Sequence, residues 1–207
     1  MRTSGMGVLY GKREHLKRIR PYKVRPNTNA IPNCWEWGTL NHECIAGIEA
    51  CVEYIADIGR RATETGGESR LCRPSSAARQ VPITRRTAIE AAYAAIHRHE
   101  RALLESMMTG LKKIPRLKIY GIIDPARFDD RCTTFAVRIE GHTPLELATK
   151  LGERGFFTWD GNYYALNLTE HLDVEKSGGF LRIGLVHYNT TDEVDRLLAA
   201  LQEIVRG

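Results

Sequence analysis

Residues 180–205 read FLRIGLVHYNTTDEVDRLLAALQEIV, and they carry the architecture in miniature. Phe180 to His187 is rich in branched and aromatic residues and reads as a strand. Thr190-Thr-Asp-Glu193 then sets a threonine three residues ahead of a glutamate, the reciprocal cap that satisfies orphan N–H groups where a helix starts. Val194, Leu197, Leu198, Leu201, Ile204 and Val205 follow at the spacing of one helical face. A strand passed so directly to an amphipathic helix predicts a helix lying back on a sheet.

Upstream the pattern repeats. Thr143-Pro-Leu-Glu146 is a second cap with proline at the first helical position, and its helix is expected to stop at Gly155. Phe156–Trp159 reads as a strand, as do Leu117–Ile122 and Thr133–Ile139, the last alternating Phe135, Val137 and Ile139. A long helix from about Thr84 to Ile114, striped by Ile89, Ala92, Ile96, Leu103, Met107 and Leu111, ends before Pro115. From residue 84 onward the order is α-β-β-α-β-β-α, an α/β sandwich with helices on one face of a small sheet.

The first part of the chain is less regular. Gly5 to Lys12 reads as a short glycine-rich strand, and Arg13–Arg20 as a basic helix that must end before Pro21. Residues 21–37 hold three prolines, three asparagines and two tryptophans, the composition of an ordered loop. Cys44, Ile45, Ile48, Cys51, Val52, Ile55 and Ile58 give a helical stripe between Asn41 and Gly59, with Gly59 read as its C-terminal stop. Residues 60–83, with Gly66-Gly67 and Pro74-Ser75-Ser76, read as a linker or insertion. The expected division is therefore 1–59, 60–83 and 84–207.

Composition limits the function classes. With 43% hydrophobic and 27% charged residues, the 207-residue chain is globular, which excludes disordered and collagen-like classes. No apolar run approaches the roughly 18–20 residues of a membrane span. Met1–Tyr10 lacks the apolar core of a signal peptide, so a cytoplasmic location is expected. Cys34, Cys44, Cys51, Cys72 and Cys132 are odd in number and form no CxxC pair. They read as small buried hydrophobes, with neither disulfide framework nor metal site expected. Residues 1–26 carry eight Lys/Arg against one Glu, and residues 60–86 seven Arg against two Glu. These segments lack interleaved aromatics, so nucleic acid is not an expected partner.

No Walker loop, dinucleotide fingerprint, HExxH helix or GxSxG elbow is present. Three segments carry chemical information instead: Gly7-Val-Leu-Tyr-Gly-Lys12; Trp35-Glu-Trp-Gly-Thr39; and Arg182-Ile-Gly-Leu-Val-His-Tyr-Asn-Thr190, preceded by Trp159-Asp-Gly-Asn-Tyr-Tyr-Ala165. Gly38-Thr39 next to a helix start offers N–H groups and a hydroxyl that suit a phosphate, or else Thr39 helps to cap the helix. Arg182 stands mid-strand between Leu181 and Ile183, where its planar fork either grips a carboxylate ligand or forms a structural salt bridge. His42 and His187 read as structural.

In order and spacing these segments resemble the C-terminal half of a class V aminotransferase, nearest to the cysteine desulfurase-like branch of the pyridoxal 5′-phosphate (PLP) enzymes. The resemblance implies the small C-terminal domain of a fold-type I enzyme over residues 84–207 and the tail of its large domain over residues 1–59. It implies PLP, an amino-acid substrate held by Arg182, a cofactor phosphate reached by Gly38 and Thr39 from the neighbouring subunit, and hence a homodimer. The chain departs from the family in two ways. The family's Schiff-base lysine lies upstream of the segment matching Gly7–Tyr10, and Lys12 matches a non-catalytic position. The nucleophilic cysteine of true desulfurases falls in the loop Gly161–Ala165, where Tyr164 stands.

The expectation is a C-terminal portion of a PLP enzyme, with no catalytic residue of its own. Its activity would need an N-terminal half, continuous with it or supplied by another polypeptide. The alternative is a non-catalytic module derived from that fold, using its basic segments for an acidic partner. An enzyme portion should leave Val8, Leu9, Ile45 and Ile48 uncovered where a large sheet packs; a matured module should have polar residues there.

Overall fold

The computed structural model describes residues 7–64 and 83–206. Gly5, Met6, Cys72 and most of the expected linker, residues 65–82, lie outside the described residues. The chain forms two compact units, residues 1–92 and 93–207, and the division falls within one long helix.

In the first unit, helix α1 (Arg13–Arg18) buries none of its residues and gives way to extended backbone at Ile19, as Pro21 requires. Gly7–Lys12 is not a strand, contrary to expectation. A strand exists only against a partner, and none pairs with it among the described residues; Val8 is 80% and Leu9 76% exposed. Residues 21–37 are irregular apart from a 3-10 turn at Asn33–Trp35.

Helix α2 (His42–Glu64) runs straight through Gly59, which corrects the expected stop. Gly59 is buried where α2 meets the start of helix α3 (Arg85–Leu111). A Cβ there would lie 1.7 Å from the carbonyl oxygen of Ala88, so the glycine serves a close helix crossing. Glu53 reinforces that crossing, bonding Arg60 at 3.0 Å and Arg85 at 3.1 Å. The Arg60 hydrogen bond leads in holding its carboxyl below the ordinary range. Of the seven-residue stripe on α2 only Cys44 is buried, while Ile45 and Cys51 are exposed. Cys132 is exposed too, so burial holds only for Cys34 and Cys44 among the four described cysteines.

The second unit is the expected α/β sandwich. Strands β1 (Leu117–Tyr120), β2 (Thr134–Ile139), β3 (Trp159–Gly161) and β4 (Phe180–Gly184) form a fully antiparallel sheet in the order β1-β2-β4-β3. Phe135, Val137 and Ile139 on β2, with Leu181 and Ile183 on β4, turn to one face. There they pack on Leu103, Met107 and Leu111 of α3, Leu147 and Leu151 of helix α4 (Pro144–Gly152), and Leu197, Leu201 and Ile204 of helix α6 (Thr191–Arg206).

Both threonine caps form. Thr143 and Glu146 bond reciprocally at the start of α4. At α6 the Glu193 carboxylate accepts the Thr190 N–H at 2.8 Å, while the Thr190 hydroxyl accepts the Glu193 N–H at 3.2 Å. That Thr190 N–H chiefly holds Glu193 below the ordinary carboxylate range. A depressed native pKa gives a contribution present above the unfolded value and lost as pH falls through the native one. Hydrogen-exchange protection of the first turn of α6 is therefore expected to be flat near neutrality and to fall in acid. Glu193→Gln should abolish that acid limb; an unchanged limb in the variant would refute the assignment.

Several element limits shift: β1 ends at Tyr120 rather than Ile122, and β4 at Gly184 rather than His187. The strand placed at Phe156–Trp159 begins at Trp159, because its extent is set by pairing with β4, Trp159 opposite Arg182 and Gly161 opposite Phe180. Phe157, apolar but 94% exposed, belongs to no strand. A short helix α5 (Leu166–His171) also stands between β3 and β4.

Candidate functional site

Alternation along β4 turns Leu181 and Ile183 into the core and Arg182 to the opposite, open face of the sheet. Its cross-strand neighbours are Ala136 on β2 and Trp159 on β3. Among the described residues Arg182 forms no ion pair, so the structural salt bridge considered for it does not occur. Its guanidinium lies instead over the ring of Tyr163, 5.5 Å from the centroid, within the range of a cation–π contact.

Tyr163 belongs to the loop that leaves β3. Tyr163 and Tyr164 both take left-handed backbone, with φ of 54° and 63°. Non-glycine residues reach this region at a cost of roughly 1–2 kcal/mol each, so neighbouring groups must hold them there. Asn162 supplies one clamp: its side-chain oxygen accepts the Tyr164 N–H at 3.1 Å, and its amide donates to Glu175 at 3.1 Å. The second Glu175 oxygen accepts the hydroxyl of the fully buried Thr169. Tyr163 supplies the other clamp, its single O–H shared between the carbonyls of Phe180 and, at 3.0 Å, Trp159. Half-burial raises the Tyr163 pKa well above the ordinary phenol value, with Asp160 adding to the rise and Arg182 opposing it. The hydroxyl is thus a proton donor at neutral pH. Together these groups enclose a cavity of about 510 Å³ lined by Trp159, Asn162, Tyr163, Tyr164, Glu175 and Arg182.

Gly38 and Thr39 stand together in the first unit. Gly38 has φ of 73°, a left-handed turn that suits glycine, with open space where a side chain would project. It borders a cavity of about 640 Å³ with Tyr22, Asn27 and Trp37. Asn27 shapes this loop by donating to the carbonyls of Glu36 and Asn33 at 3.1 and 3.3 Å. The cap of α2 is Asn41, whose side chain accepts the Cys44 N–H at 3.0 Å. Thr39 is therefore not the cap. Among the described residues neither Gly38 nor Thr39 makes a hydrogen bond, which leaves N–H groups and a hydroxyl available at an open, glycine-lined turn. Such donors fit a phosphate such as that of PLP.

His42 lies in the first turn of α2, and His187 packs edge-on against Tyr188 at 5.2 Å. Neither lines the cavity under Arg182. The reading of residue types singled out Arg182 but gave Tyr163, Asn162 and Glu175, which line the same cavity, no role. A Gly-Asn pair followed by two aromatic residues was the available sign of a held turn.

The sequence profile of the aminotransferase class-V family matches residues 86–197. The curated relatives include the cysteine desulfurase of Pectobacterium carotovorum subsp. carotovorum (strain PC1), 27% identical over 98% of this chain and 42% of that protein. The probable cysteine desulfurase of Synechocystis sp. (strain PCC 6803) is 24% identical over 98% of this chain and 42% of its own length. The chain thus spans about two fifths of the length of the curated relatives it matches. Among solved structures, the cysteine desulfurase CsdA of Escherichia coli superposes over 95% of this chain and 41% of its own, with TM-score 0.65 and 21% identity. That of Thermococcus onnurineus NA1 covers 59% of this chain with TM-score 0.52. These are fold-type I PLP enzymes, and the likeness is one of fold. The profile spans more than half of the 207 residues and runs from α3 into α6, across the elements that carry Arg182 and its cavity; the chain is a member of the class-V aminotransferase family.

Proposed function

We propose that this chain forms the substrate-carboxylate wall of a PLP-dependent enzyme acting on an α-amino acid. Residues 84–207 are its small domain and residues 1–59 part of its large domain. The observation that carries the reading is Arg182, a guanidinium without an ion-pair partner among the described residues, facing a cavity from the open side of a sheet. A planar fork so placed suits an α-carboxylate held by two parallel hydrogen bonds. Gly38 and Thr39 would hold the cofactor phosphate, in the family manner across a homodimer. Bound PLP supplies an electron sink for the substrate's Cα bonds, and the family's lysine for it lies upstream of the stretch matching Gly7–Tyr10.

Tyr164 stands where desulfurases of the family carry a nucleophilic cysteine, and a phenol cannot accept sulfur as a persulfide. A lyase or transferase reaction without sulfur transfer is therefore the better reading. Exposure of Val8, Leu9 and Ile45, with Ile48 half-buried, favours an enzyme portion over a self-sufficient binding module for acidic partners. A soluble cytoplasmic setting accords with the described helices, none of which is long and apolar enough to cross a membrane.

The phosphate role is tested on the native species that carries this chain, identified by immunoblot from its source cells. Thr39→Val is expected to weaken PLP binding roughly three- to tenfold, about the worth of one hydrogen bond to a charged group. Pyridoxal, which has no phosphate, should bind wild type and variant alike. An unchanged ratio of PLP to pyridoxal affinity would remove Thr39 from the phosphate site.

A further inference from the structure

We infer that Tyr163 is a positioning residue for Arg182, deepening the carboxylate role just proposed. A flexible arginine on an open sheet face would sample many rotamers and could swing to the carboxylates nearby, Asp160 and Glu175, which border the same cavity. In the structure it pairs with neither carboxylate, and among the described residues the group that engages its guanidinium is the Tyr163 ring at 5.5 Å. The ring is itself immobilised at three points. Its hydroxyl is anchored to the carbonyls of Trp159 and Phe180, on the two strands that flank the loop. Its backbone sits in the left-handed region, and the next residue is fastened by Asn162. Glu175 is occupied by Asn162 and Thr169, which draws that carboxylate away from Arg182.

The arrangement turns a mobile cation into a fixed one. An aromatic partner in cation–π contact leaves the N–H donors of the guanidinium for a ligand, since that contact does not consume them. The left-handed backbone of Tyr163 and the clamp on Tyr164 bring the ring to the guanidinium and suffice to hold it there, the hydroxyl bonds adding only a further tether. Fixing Arg182 before a ligand arrives reduces the rotamer entropy lost on binding.

The test compares Tyr163→Phe, which keeps the ring and loses the anchor, with Tyr163→Leu, which loses both. Two readouts are taken on the full chain by NMR: the ring-current shift of the Arg182 side-chain signals, and their response to titrated L-alanine. Wild type and Tyr163→Phe should show the upfield shift and bind L-alanine within about twofold of each other. Tyr163→Leu should lose the shift and bind roughly three- to tenfold more weakly, the range of one cation–π contact. Both variants lose the same hydrogen bonds, so equal losses in the two would mark a merely structural tyrosine and overturn the inference. Undiminished binding in Tyr163→Leu would overturn it as well, leaving the carboxylate role of Arg182 standing. If Arg182 in wild type ignores L-alanine, the carboxylate reading itself fails and this inference with it.

Discussion

On the carboxylate role proposed for it, Arg182→Ala is expected to raise KM for an amino-acid substrate of the native species roughly ten- to hundredfold. That corresponds to about 1.5–3 kcal/mol for hydrogen bonds to a charged group. The size follows from geometry: among the described residues Arg182 has no competing ion pair, which leaves its guanidinium donors for a carboxylate. Arg182→Lys should recover only part of the loss, because an ammonium keeps the charge but not the planar fork that pairs two oxygens at once. An amine analogue lacking the carboxylate should not distinguish the three proteins, which separates anchoring from collapse of the fold. Steady-state kinetics with the acid and its decarboxylated analogue makes the comparison. An alanine variant with unchanged KM would rule out the anchor.

Phe135→Ala should cost the largest share of stability of any single change considered, about 3–5 kcal/mol. Phe135 is fully buried on β2, which pairs with β1 and β4 at the middle of the sheet, and it stands opposite Ile183. It belongs to the buried cluster that the covered face of the sheet shares with α3, α4 and α6. Arg131 also stacks on the ring at 4.8 Å and would lose its aromatic partner. A typical domain holds about 5–15 kcal/mol in reserve, so the variant should approach the edge of folding. Denaturant midpoints for Phe135→Ala and the milder Phe135→Leu measure this. A loss below about 1 kcal/mol in the alanine variant would mean that the sheet is not packed as described.

Short-range chemistry was the legible part of this fold. Thr143 with Glu146 and Thr190 with Glu193 are bonded across three residues, so the caps could be read directly. The alternation of β2 was equally plain, because period two has no helical reading. What failed depended on distant partners. Val8 and Leu9 have the side chains of a strand, but pairing is a property of two segments. Gly59 looks in sequence like a helix terminator, and only the proximity of Ala88 reveals a helix crossing. Phe156 and Phe157 suggested a strand three residues early, because the true limits of β3 are dictated by its register on β4.

The site divided along the same line. Arg182 was readable as a charge in an apolar strand, and Gly38-Thr39 as donors beside a helix start. Assigning the α2 cap to Asn41 rather than Thr39 required the bond to Cys44, one residue's difference that composition cannot resolve. Tyr163 was invisible as a partner of Arg182. Their contact spans nineteen residues of chain and depends on two left-handed backbone angles that sequence gives no reason to place on tyrosine.

The uncovered run Val8-Leu9-Tyr10 has a consequence for the company this chain keeps with itself. Three exposed residues of high strand preference form a template on which identical chains could zip edge to edge. Lys12, Arg13, Lys17, Arg18 and Arg20 follow at once, so every such pairing would bring two dense cationic segments together. Like charges flanking a sticky segment are gatekeepers: they leave the segment able to pair with a neutral or acidic strand while discouraging a copy of itself. The basic cluster thus need not bind anything to matter. Its repulsion works against self-pairing of the exposed run.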